Sequence, residues 1–157
     1  MGIFGFVRKL TGTTADVTLT VGPARRGDKF TVKVDVKVGP DPISAKRVYV
    51  TLRCNELVDI PKYNLPAETA KPGTPALPPK SIAIKANESL FEQEFAITSG
   101  QELAANSEHR FDGEIELPAH LPPTYIGRHT NIRWYALAGL DTRMTDPSTE
   151  WQELPVT

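Results

Sequence analysis

From Lys29 to Val38 hydrophobic and polar residues alternate without a break. Phe30, Val32, Val34, Val36 and Val38 fall on one side, and Lys29, Thr31, Lys33, Asp35 and Lys37 on the other. Period two over this length predicts a strand with one buried face and one wet face. Val48, Val50, Leu52 and Cys54 predict a second such strand in KRVYVTLRCNE. Weaker alternations predict separate strands in SIAIKA (Ile82, Ile84), LFEQEFAI (Phe91, Phe95, Ile97) and HRFDGEIELP (Phe111, Ile115, Leu117). NIRWYALAGL is apolar on both sides, as expected of a central strand. ADVTLTV and TEWQELPV complete about eight strands.

Turn residues separate these runs: Pro23, Gly27-Asp28, GPDP and DTRMTDPS. Short strands with no helical period between them predict an all-β antiparallel sandwich of immunoglobulin type, with seven to eight strands. Two segments read differently. Residues 1–14, containing GIFGFVRKLTG, form a lead-in that is either a short amphipathic turn or an extended arm. Residues 60–81, IPKYNLPAETAKPGTPALPPKS, hold six prolines and read as a long extended loop. Loops of that length inside a compact domain are commonly functional or disordered. Residues 15–157 then form a single domain.

Composition narrows the function more than the fold. The 157 residues carry a formal net charge of −1, which argues against a nucleic-acid partner. The lone cysteine, Cys54, allows no internal disulfide and fits a reducing, cytoplasmic setting. No apolar run reaches the roughly 20 residues that span a bilayer. The N-terminus is apolar first and basic second, the reverse of a secretory signal, and Phe6 stands where a myristoylation motif wants Ser or Thr.

No catalytic or metal-binding constellation stands out. His109, His120 and His129 lack ligand spacing, and Cys54 lies on an apolar strand face where a thiol is inert. Asp112, Glu114 and Glu116 alternate with apolar residues as a solvated face does. Arg26-Gly27-Asp28 spells an integrin tripeptide but reads as turn chemistry, and Asn87-Glu88-Ser89 matters as a sequon only in a secreted chain. No cofactor is expected. Pro122-Pro123-Thr124-Tyr125 spells a WW-domain ligand, which works only if exposed and extended. The competing reading makes it a connection between core strands, with the Tyr125 ring packed on the sandwich and its hydroxyl near the surface.

The order of elements in the second half resembles the N-terminal domain of the arrestin family. The residues that carry the resemblance are Phe111 with Leu117-Pro118, then Pro122-Pro123 with Tyr125, Gly127, Ile132-Arg133-Trp134-Tyr135, and Leu140-Asp141. ADVTLTV, the Gly-Asp turn, the Lys29–Val38 strand and KRVYVTLRCNE agree in layout. The Phe- and Lys-rich start is similar to that of bacterial arrestin-like sporulation-control proteins.

The resemblance implies a non-catalytic adaptor or regulatory module that binds other proteins. Binding would use a sheet edge or the Pro-rich loop, through Tyr63, Leu65, Pro66, Pro78 and Pro79, with Arg8 and Lys9 near a family basic pair. It also implies a second sandwich in tandem, and a lone copy is expected to pair with itself. The last strand lacks the arginine with which receptor-binding members sense phosphate. Peripheral membrane contact through the N-terminus is a further expectation. The alternative reading is a carbohydrate- or small-ligand-binding sandwich that uses Trp134, Trp151 and Tyr63.

Overall fold

The computed structural model of the chain describes residues 15–65, 72–73, 75 and 80–157. The expectations for Arg8, Lys9, Pro66, Pro78 and Pro79 lie outside the described residues.

Among the described residues ten strands follow one another: β1 (Ala15–Val21), β2 (Lys29–Val38), β3 (Ile43–Ala45), β4 (Arg47–Asn64), β5 (Ser81–Thr98), β6 (Gln101–Leu103), β7 (Glu108–Glu116), β8 (Tyr125–Ile126), β9 (Thr130–Asp141) and β10 (Gln152–Glu153). β1, β2 and β7 form one antiparallel sheet in the order β1-β2-β7. The larger sheet runs β10-β9-β4-β5, with β8 also paired to β9, and β3 pairs with β6. The architecture is an all-β sandwich of antiparallel sheets.

β2 shows why the sequence takes this form. Its valines and Phe30 are buried and its polar partners face water, as the alternation requires. On the wet face the cross-strand neighbours are Lys29 with Glu116, Lys33 with Asp112, Asp35 with Arg110, and Lys37 with Glu108. Arg110 reaches Asp35 at 2.7 Å and Lys37 reaches Glu108 at 3.9 Å. Exposed pairs of this kind contribute about 0–1 kcal/mol each. Register follows from the buried face, because a one-residue slip would turn every valine to solvent.

Facing this layer, β4 contributes Val48, Val50, Leu52 and Cys54, and β9 contributes Trp134, Ala136, Ala138 and Leu140. β9 is central, paired along its length with β4 and on the other side with β8 and β10. Its core face is buried at Trp134, Ala136, Ala138 and Leu140, and the opposite face is half-buried at Arg133, Tyr135 and Leu137.

Three expectations change. The two strands read in SIAIKA and LFEQEFAI are one continuous strand, β5. The loop read at 60–81 is shorter, because Ile60–Asn64 extend β4 and Ser81 begins β5. Pro61 is tolerated there because the β4–β5 register shifts between Ile60 and Tyr63, and a bulge spares the ladder the missing N–H. TEWQELPV is not one strand. Thr149 N–H donates to Ala138 at 2.8 Å and Leu154 N–H to Trp134 at 2.9 Å, with only Gln152–Glu153 regular between them.

Candidate functional site

The Pro-Pro segment is part of the fold. The buried Trp134 indole N–H donates to the Pro122 carbonyl at 3.0 Å. Thr124 is held from the other side, its N–H donating to Val156 O and its hydroxyl accepting from Val156 N–H, both at 2.9 Å. Leu117 and Leu121 are buried beside it. A WW domain would have to break these contacts before it could grip the prolines. Tyr125 departs from expectation: it is 56% exposed instead of packed on the sandwich. Its ring lies over Gly127, where a side-chain carbon on residue 127 would come within 2.6 Å of it. Pro118 and Pro123 are half-buried, and Phe111 packs against the core from β7. Arg133 pairs with Glu153 at 3.1 Å.

The aromatic trio of the sugar reading does not converge. Trp134 is fully buried and lies tilted against Phe91, with 5.7 Å between ring centroids. Trp151 is covered by the Arg53 guanidinium, 4.2 Å above its ring. Tyr63 lies ten strand positions beyond Arg53 on β4, about 33 Å at the usual rise. Arg53 also reaches Glu92 at 2.8 Å and holds that carboxyl below the ordinary carboxylate range, chiefly by this hydrogen bond.

Other sequence candidates are accounted for locally. Burial, helped by Glu56, pushes the Cys54 thiol up to about 11. Arg26-Gly27-Asp28 is a turn with Gly27 at φ 74°, pinned by Gly27 N–H to Leu117 O at 2.8 Å and Arg26 N–H to Thr157 O at 3.0 Å. An open cleft of about 470 Å³ beside it is lined by Arg25, Arg26, Ala119 and Thr157. Arg25 is engaged there by Asp28 at 4.0 Å.

One pairing escaped the sequence. Ser107 Oγ and His109 Nε2 are 2.7 Å apart, two residues apart at the start of β7. The Ala104 carbonyl is a second acceptor for the single Ser107 hydroxyl proton and competes with the imidazole for it. Among the described residues no group of three or more His, Cys, Asp or Glu comes together that could hold a metal ion.

The feature with binding geometry is the long β4–β5 ribbon. Cys54 is the last buried residue of β4, and no residue of β5 is fully buried. The outer edge of β5 closes the order β10-β9-β4-β5. Near Ile97 it is the core-facing side of β5 that packs against β7, where a side chain on Gly113 would meet Ile97 at 3.1 Å. Further out, pairing to β4 is regular from Ile84 to Ser89, between the shifts at Ile60/Tyr63 and Cys54/Asn55. The end of the ribbon exposes Tyr63 (45%), Leu65 (37%) and Ile82 (44%). Tyr63 and Leu65 were candidates from sequence; Ile82, read only as a strand residue, joins them because Tyr63 and Ile82 are register partners.

With this geometry, comparison with known proteins is informative about fold. No family model matches the sequence, and no curated protein matches it. Among solved structures, the chain is similar to the crystal structure of Spo0M, a sporulation control protein from Bacillus subtilis. The TM-score is 0.59 at 16% sequence identity, over 92% of this chain and 49% of that one. The fold is an arrestin-type sandwich. The chain spans about half the length of Spo0M. Among the described residues no helix is long and apolar enough to cross a membrane.

Proposed function

We propose that the chain is a non-catalytic interaction module that accepts a partner's extended segment along the free edge of β5, with the Pro-rich connection 65–80 as a second contact. The observation that carries this reading is the regular edge from Ile84 to Ser89, unpaired among the described residues. Natural sandwiches blunt such edges with bulges and charge, and here the bulges lie on either side of the stretch and leave it open. An added strand would gain main-chain hydrogen bonds from the edge. Side-chain selection would come from Ile84, Ala86 and Glu88 on one face and Lys85, Asn87 and Ser89 on the other. Adaptor function of this kind matches what the arrestin-type fold does in general.

The test uses a membrane-cleared extract of the cells in which the chain is native. Wild-type protein is compared with a variant in which residues 65–80 are replaced by Asn-Gly, a two-residue turn suited to a hairpin. Partners held through the connection are expected to be captured by the wild type and lost from the variant. An identical set on both would remove the connection from the account.

A further inference from the structure

We infer that the end of the β4–β5 ribbon docks on an anionic lipid surface. This goes beyond the protein-binding reading and does not depend on it. The first observation is the group of exposed apolar side chains already described: Tyr63, Leu65 and Ile82, gathered where Leu65 N–H donates to Lys80 O at 3.0 Å. Apolar groups concentrated at the tip of a projecting element mark a contact surface.

The second observation is the charge around them. The described residues of this end, 60–65 and 80–85, carry Lys62, Lys80 and Lys85 and no acid, a net +3. With −1 for the whole chain, the remaining residues carry −4. Further along the same ribbon the balance reverses, with Glu56, Asp59, Glu88, Glu92 and Glu94 against Arg47 and Arg53. Asp59 engages Lys85 at 3.9 Å, leaving Lys62 and Lys80 as the outermost described cations. An anionic plane would therefore attract the ribbon end-on and repel it flank-on.

The kind of anion follows from the residue types. All three of these cations are lysines, with no arginine among them. Compact ammonium charges on flexible stems suit a diffuse anionic surface, whereas recognition of discrete carboxylates or phosphates on a peptide favours arginine forks. Tyrosine beside aliphatic residues belongs at a headgroup boundary, and lysine stems can lie along the apolar layer with their charges outward.

Flotation of the full chain with vesicles tests this directly. Wild type is expected to float with phosphatidylcholine vesicles containing phosphatidylserine, and not with phosphatidylcholine alone. Binding is expected to weaken as salt rises. Lys62→Gln/Lys80→Gln should weaken binding by roughly 25-fold, about fivefold for each lysine. Tyr63→Ser/Leu65→Ser/Ile82→Ser should abolish it while leaving the melting temperature unchanged, because these side chains already face solvent. Equal binding to neutral vesicles, no binding to either, or full binding by both variants would overturn the inference. The last of these results would move the contact to residues 1–14 or another surface. Capture by soluble polyglutamate that the serine variant retains in full would also overturn it, by showing charge attraction alone.

Discussion

Trp134 shows how one side chain can decide between two readings of a motif. It is fully buried, and its indole N–H is committed to the Pro122 carbonyl. The same ring therefore removes the sugar platform and locks the Pro-Pro segment into the fold. Trp134→Phe deletes the hydrogen bond, leaves the Pro122 carbonyl without that donor, and empties part of a packed volume. The expected loss is about 1–3 kcal/mol of unfolding free energy, read as a lower denaturant midpoint with unchanged slope. An unchanged midpoint would show that the bond contributes nothing net. Tyr125 teaches the opposite lesson. A family pattern marks the position but not the direction of its ring, which depends on the missing side chain at Gly127 two residues on. No feature of the sequence around Tyr125 encodes that exposure.

At the scale of elements, the legible strands are those with one buried face. β2 is fixed by Phe30 and its four valines because the facing sheet buries each of them. β5 was not legible as one strand for the converse reason. Between Lys85 and Ser89 all residues are exposed, so neither face carries an apolar signal. Leu90 and Phe91 then stand together at the register shift opposite Cys54/Asn55 and break the period. Pro61 misleads similarly, because a breaker residue is harmless inside a bulge. The candidate site was therefore half visible: Tyr63 and Leu65 stood out among prolines, while Ile82 and the open edge required the pairing. The burial gradient along β4 has a dynamic consequence. Amides of Val48–Cys54 should exchange only with global unfolding, and those of Asp59–Asn64 by local opening, orders of magnitude faster. Native-state hydrogen exchange reports both. Uniform protection along β4 would mean that the ribbon end is covered in solution.

The whole molecule combines a β-sandwich scaffold with an unevenly charged projection. Two sheets enclose one core, from Leu19, Phe30 and the β2 valines across to Trp134 and Leu140. The projecting ribbon adds little to that core, so its length and composition are free to serve binding. The net charge of −1 hides a cationic end on an acidic remainder, a distribution that total charge cannot reveal. The similarity to Spo0M at 16% identity fixes the architecture. The most direct measurement of the central claim is hydrogen exchange of the chain alone and bound to a partner purified from its native cells. The account predicts new protection concentrated in Ile84–Ser89 of β5. Protection confined to the wet face of β1, β2 and β7, with the β5 edge exchanging as before, would contradict it.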